Sequence, residues 1–165
     1  MKIIYFVRHA KSSWDDITLD DHDRPLNKRG RRDAPVMARR LLGIDVAPDG
    51  ILSSTAVRAQ QTAAVFAEIL NVDASAQYYE EGLYHAMPTI IEQHIRNLSD
   101  QWNTLLVFGH NPGYTNLANR LQNNAYIGNL PTCGIVGAQA EINEWADFSL
   151  AAARRIAYLY PKQTQ

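Results

Sequence analysis

Apolar residues in this chain fall into short runs that stop abruptly at charged or polar positions. The first, Lys2-Ile3-Ile4-Tyr5-Phe6-Val7, is rich in β-formers and ends in Arg8-His9. It reads as a buried strand delivering two cationic groups to a loop at its carboxyl end, where open α/β sheets place their ligand sites. Thr104-Leu105-Leu106-Val107-Phe108-Gly109 repeats the arrangement and hands the chain to His110. A shorter strand at residues 51–54 is followed by Arg58 at the start of a helical pattern. If these three strands lie side by side, Arg8, His9, Arg58 and His110 converge on one edge of a sheet.

Between the strands the apolar period lengthens to that of helices. Asp33 before Ala34-Pro35 reads as an N-cap with proline in the first turn, opening a helix that runs to Gly43. Residues 56–70 predict a second helix with Ala59, Thr62, Ala63, Phe66, Ile69 and Leu70 on its apolar face. Further along, the pattern predicts a strand at 75–79, helices at 88–98 and 114–121, and strands at 132–142 and 153–160. This β-α-β-α order predicts a three-layer α/β sandwich with a largely parallel central sheet. Residues 1–165 read as one domain, long enough to bury a substantial core.

Composition narrows the classes of partner. The net charge of −1 gives no general attraction to nucleic acid or to anionic membranes. Cys133 is the only cysteine, so no internal disulfide can form, and no apolar stretch is long enough to span a bilayer. A cytoplasmic location is the default expectation. Residues 10–32 carry Asp15, Asp16, Asp20, Asp21 and Asp23 ahead of Arg24, Lys28, Arg29, Arg31 and Arg32, blocks that usually neutralise one another on a solvated loop.

Taken alone, a strand-end histidine or a helix-start arginine is more often an ordinary hydrogen-bonded or solvated residue. Repetition at three strand ends favours chemistry on an anion instead. Asp21-His22-Asp23 resembles a metal-ligand set, but it follows no apolar strand and is expected on a polar loop. Lys28-Arg29-Gly30-Arg31-Arg32 admits a second alternative, a non-catalytic phosphate- or nucleic-acid-binding module, although nearby aspartates cancel most of its field. Cys133 lacks the following loop arginine of a cysteine phosphatase and reads as a small packing residue.

The motifs themselves resemble a family. Arg8-His9-Ala10-Lys11-Ser12-Ser13-Trp14, Arg24-Pro25-Leu26 with Gly30, the Ser53-to-Ala63 segment containing Arg58-Ala59-Gln60-Gln61-Thr62, and Gly109-His110-Asn111-Pro112-Gly113 are similar, in order, to the signatures of the histidine phosphatase superfamily. The short form resembles its SixA-like phosphohistidine phosphatase branch. The resemblance implies a phosphoglycerate-mutase-like fold and a metal-independent phosphatase without cofactor, with His9 as the nucleophile that carries phosphate. It further implies that Arg8, Arg58 and His110 hold the phosphoryl oxygens. The main-chain N–H of Asn111 is a further candidate donor.

Glu81, with Glu80 as alternative, is the candidate acid for the leaving group, against a reading as solvated carboxylates at a strand end. Asp15 stands where many relatives have asparagine and is expected to point away or to pair with Arg24. Ser12 or Ser13 donates to phosphate or only shapes the turn. Tyr84, His85 and Arg120 are candidates for the pocket rim. The implied partner is phosphohistidine on a protein, the alternative being a small phosphate monoester. An imidazole leaving group, with an unperturbed pKa of roughly 6.5, tolerates a poor general acid.

Overall fold

The computed structural model describes residues 1–123 and 125–164. Six strands form one sheet: β1 (Lys2–Arg8), β2 (Gly50–Ser54), β3 (Gln77–Glu80), β4 (Thr104–Gly109), β5 (Ile135–Ala140) and β6 (Arg154–Leu159), in the order β3-β2-β4-β1-β5-β6. The β1, β2, β3 and β4 neighbours pair in parallel, whereas β5 is antiparallel to both β1 and β6. Four helices accompany them: α1 (Lys28–Gly43), α2 (Val57–Ile69), α3 (Pro88–Arg96) and α4 (Gly113–Ala118).

Strand alternation divides the apolar residues between two faces. Ile4, Phe6, Leu52, Leu105 and Val107 bury against Ile91 and Ile95 of α3 and Leu117 of α4. Tyr5, Val7, Ile51, Leu106 and Phe108 bury against Met37 and Leu41 of α1 and Phe66 of α2. The result is the expected three-layer sandwich. Because strands β1 and β4 are covered on both faces, nearly every residue in them is apolar, which is why their runs are continuous in the sequence.

Topology sets the site. From β1 the chain crosses through α1 to β2, on the far side of β4, whereas from β4 it passes through α4 to β5, on the far side of β1. The carboxyl ends of β1 and β4 therefore flank the point where the connections change direction, the place for a ligand crevice in such sheets. Register pairs Arg8 with Gly109, so His9 and His110 leave the sheet side by side.

Several element boundaries differ from the sequence reading. Helix α1 begins five residues before Asp33: Asn27 is its cap, its side chain accepting from the Gly30 N–H at 2.9 Å. Pro35 is accommodated inside the helix, and the basic cluster from Lys28 to Arg32 forms its opening turns. Asp33 is a buried ion-pair partner of Arg32 at 3.3 Å. Gly30 is required there, since a Cβ would lie 2.2 Å from the Lys11 carbonyl oxygen in the loop after β1. Helix α4 ends at Ala118 because the Asn119 amide binds Thr115 O and both main-chain groups of Ile127, turning the chain away. Strand β5 starts only at Ile135, after a turn in which the Gly134 N–H reaches Pro131 O. Among the described residues no helix is long and apolar enough to cross a membrane.

Candidate active site

His9 is fixed on both sides of its main chain, its N–H donating to Gly109 O and its carbonyl accepting from the Cys133 N–H, each at 3.0 Å. Its ring Nδ1 lies 2.7 Å from Ala10 O. A carbonyl oxygen only accepts, so Nδ1 carries the proton and Nε2 keeps its lone pair. This is the tautomer a nucleophilic histidine requires, and the Ala10 carbonyl is the acceptor that fixes it.

Helix α2 aims Arg58 at that lone pair. Thr62, one turn on, accepts from the Ala10 N–H at 3.0 Å and donates to Arg58 O at 2.7 Å, tying the helix to the loop after β1. The Arg58 Nε then stands 3.4 Å from His9 Nε2. Arg58 is 2% exposed, and its Nη1 and Nη2 hold the main-chain O and Oδ2 of Asp21 at 2.6 and 2.9 Å. One edge of the guanidinium is thereby clamped while the Nε edge faces His9.

His110 lies with its ring centroid 5.2 Å from that of His9. Its Nε2 is 2.8 Å from the Ser54 hydroxyl, which also accepts from the Ala56 N–H. With the Ser54 proton donated to Nε2, the His110 proton sits on Nδ1. Both Nδ1 of His110 and Nε of Arg8 are buried without a hydrogen-bond partner among the described residues. Native interiors leave few such groups unsatisfied, and buried donors facing no protein acceptor are what an anion site offers. The other end of Arg8 is anchored through Nη1 to Leu130 O at 2.8 Å.

The electrostatics favour neutral imidazoles. Burial pushes His9 down to about 3, against the opposing pull of the Ala10 carbonyl, and Arg58, Arg8 and Arg24 add to the depression. Burial likewise lowers His110 to about 2, with His9 and Arg58 contributing. Burial and the Arg58 charge lower Arg8 from a value high enough to leave it cationic.

Against this geometry the chain was compared with known proteins. Residues 4–110 match the histidine phosphatase superfamily (branch 1). The chain belongs to that superfamily. A Mycobacterium tuberculosis relative, the uncharacterized protein Rv1276c, is 36% identical over 165 residues, covering 94% of this chain and 100% of that protein. A crystal structure of a protein described as a candidate phosphohistidine phosphatase SixA, from Agrobacterium tumefaciens, superposes with TM-score 0.81 at 26% identity, covering 97% of this chain and 98% of that one. The protein histidine phosphatase SixA complexed with tungstate shares the fold, with TM-score 0.80 at 20% identity over 96% of this chain and 97% of that one. The fold is phosphoglycerate-mutase-like, and members of the superfamily are phosphatases.

Arg8, His9, Arg58 and His110 are thus brought together, and Tyr84 and His85 stand beside them with ring centroids 5.4 and 4.9 Å from that of His110, whereas the side chains of the other sequence candidates are not. Glu81 opens a 3-10 turn after β3, exposed, and its carboxylate has no hydrogen bond or ion pair among the described residues. Asn111 uses its side chain as a loop clip, donating to Asn129 Oδ1 and Leu130 O while accepting from Thr115. Ser12 accepts from Arg24 at 2.8 Å and Ser13 from the Asp15 N–H at 3.1 Å, so both shape the turn. Asp15 is exposed and does not pair with Arg24, whose carboxylate partner is Asp21 and whose guanidinium stacks 3.5 Å from the Trp14 ring centroid. Arg120, exposed just beyond α4, lies beside a surface cavity of about 730 Å³ lined also by Asn111 and Tyr126.

Asp21 is the residue that sequence reasoning missed. Although burial opposes its charge, hydrogen bonds from Tyr84, His85, Arg24 and Arg58 hold its carboxyl far below the usual range. Its only signal in the sequence is the three-residue spacing to Arg24, lost among neighbouring aspartates. His22 reaches Asp23 through Nδ1 at 3.2 Å and Thr55 through Nε2 at 2.9 Å.

Proposed function

We propose that the protein is a metal-independent phosphatase that passes phosphate through His9 and acts on phosphohistidine displayed by another protein. The observation that carries the reading is the His9 Nε2 lone pair, fixed by the Ala10 carbonyl, facing Arg58 and flanked by the unpartnered Arg8 Nε and His110 Nδ1. In the first step the Nε2 pair forms a bond to phosphorus as the bond to the substrate nitrogen breaks. The departing imidazole takes the bonding pair and a proton from solvent. Water then attacks phosphorus, the bond to His9 breaks, the pair returns to Nε2, and the water gives up a proton to solvent.

Arg8, Arg58 and His110 stabilise the charge on the non-bridging oxygens through both steps, with the Asn111 N–H as a further donor. The resident arginines supply this field without a metal or other cofactor. The match to the SixA structure at 26% identity supports a protein-borne substrate. So does the loop preceding Asp21, where Trp14 is 68% and Ile17 93% exposed, offering apolar contact to a docked surface.

The test is phosphate release from a phosphohistidine-bearing protein, from free phosphohistidine and from aryl phosphates, with and without chelator. Preferential turnover of the protein substrate, unaffected by chelator, is expected. Radiolabel trapped in the steady state should be acid-labile, base-stable and located on His9. Label on another residue, or activity abolished by chelator and restored by a divalent ion, would refute the reading.

A further inference from the structure

The turn after β3 carries a third histidine to the site. Gly113, at the start of α4, comes so close to Ala86 that a Cβ would lie 2.1 Å from its carbonyl oxygen, pressing the 84–86 segment against the loop that bears His110. The His85 ring centroid consequently lies 4.9 Å from that of His110 and 4.2 Å from that of Tyr84. The backbone reaches this position with φ 51° at His85, a left-handed conformation that costs energy for any residue with a Cβ. Such strain, when a structure maintains it, concentrates at functional positions.

His85 Nε2 is 3.0 Å from Asp21 Oδ2. Asp21 is held ionised by Arg24 and Arg58 and can only accept, so Nε2 carries a proton. The arrangement is a carboxylate fixing an imidazole by one nitrogen and setting its orientation, the logic by which an aspartate orients a catalytic histidine. Nδ1, the other nitrogen, has no hydrogen-bond partner among the described residues. The ring is half-exposed at the mouth of the site, open to the departing part of a substrate.

We infer that the Asp21–His85 pair delivers the proton to the leaving group, and that it extends the substrate range to phosphate monoesters of basic alcohols. The inference rests on the phosphatase reading above. As the His9 Nε2 pair forms its bond to phosphorus, the P–O bond breaks toward the ester oxygen, which takes the proton from His85 Nδ1. His85 is left neutral, keeping its Nε2 proton and donating it to Asp21 in a hydrogen bond. In the second step Nδ1 takes a proton from the attacking water, restoring the imidazolium as phosphate leaves His9. Glu81, without a partner to orient it, is replaced in this role.

The experiment compares His85→Asn with wild type across aryl phosphates of graded leaving-group basicity, an alkyl phosphate and phosphohistidine. Asparagine is chosen because it tolerates the left-handed backbone. Loss of a general acid predicts a fall of about 100-fold in alkyl phosphate turnover, progressively smaller losses as the phenol becomes more acidic, and at most about a threefold change for phosphohistidine. Asp21→Asn should steepen the same dependence on the leaving group. Thermal unfolding and tungstate affinity should stay at wild-type values in His85→Asn, reporting an intact fold and anion site.

Equal losses on every substrate, or weakened tungstate binding, would make His85 an anion-binding or structural residue and overturn the proposal. The leaving-group dependence appearing in Glu81→Gln and absent from His85→Asn would overturn it in favour of Glu81. Ester hydrolysis with the predicted dependence, but no turnover of phosphohistidine, would overturn the substrate assigned under the proposed function and still support the Asp21–His85 pair. Wild-type protein releasing phosphate from neither class would overturn both.

Discussion

Replacing Arg58 by alanine tests whether the strand ends converge on an anion. The guanidinium is almost wholly buried, with its Nε 3.4 Å from His9 Nε2, so its charge acts with little solvent screening. A hydrogen bond to a charged group contributes about 1.5–3 kcal/mol, equivalent to roughly ten- to 150-fold in affinity. Arg58→Ala also strips Asp21 of one of its two arginines, leaving a carboxylate beside the place an incoming dianion must occupy. The loss should therefore fall toward the upper end of that range, and the double variant Arg58→Ala, Asp21→Asn should recover part of it. Calorimetric titration with tungstate or vanadate at fixed ionic strength reads the affinity, and thermal unfolding verifies the fold, since Arg58 also anchors the Asp21 turn. Arg39→Ala removes an exposed arginine of α1 and should leave binding unchanged. Equal effects at Arg58 and Arg39, or an Arg58→Ala affinity within about twofold of wild type, would show that the anion lies elsewhere.

His9→Asn should abolish turnover of every phosphate substrate while the protein still unfolds cooperatively and still binds tungstate; residual turnover with phosphate trapped on another side chain would remove His9 from the mechanism. His9 and His110 are both depressed below their unfolded values, to about 3 and about 2, so between there and roughly 6.5 the unfolded chain binds more protons than the folded one. Their contribution to stability is complete above that upper limit and is lost as pH falls, each by up to about 1.4 kcal/mol per pH unit, and urea unfolding of His9→Asn should show a shallower pH slope than wild type. Asn111→Ala should lower unfolding stability by about 1–3 kcal/mol by opening the clip to Asn129, Leu130 and Thr115. Tungstate affinity should persist, since the main-chain N–H remains; unchanged stability with weakened affinity would mean that the side chain itself holds the anion.

Continuous apolar runs made β1 and β4 legible, because strands covered on both faces have no polar positions to interrupt them. Arg8, His9 and His110 followed as strand ends, and Arg58 as the opening of an amphipathic helix. The start of α1 was not legible, since Asn27 and Asp33 are both acceptable caps, and only the fit of Gly30 against Lys11 selects the first. Asp21 was hidden for a different reason. Its importance comes from Arg58, Tyr84 and His85, which are 37, 63 and 64 positions away, and no local pattern encodes such contacts. Glu81 illustrates the reverse case, a residue of the right type in the right segment whose side chain makes no hydrogen bond or ion pair among the described residues.

A histidine that attacks phosphorus must be neutral, while the pocket that gathers a phosphate dianion must be positive. Building that pocket from histidines would set the two needs against each other, because the pH that charged the binding groups would also protonate the nucleophile. Here Arg8, Arg24 and Arg58 supply charge that does not titrate near neutrality, and the same field, added to burial, holds His9 unprotonated. Asp21 offsets part of that charge at the outer edge of Arg58, leaving the Nε edge toward His9. Its carboxylate simultaneously gives His85 an anionic partner at the mouth, 3.0 Å away. One aspartate thereby orients a half-exposed imidazole at the mouth while leaving the Nε edge of Arg58 toward a buried one held neutral, the division that the proposed acid–base chemistry at a single phosphorus calls for.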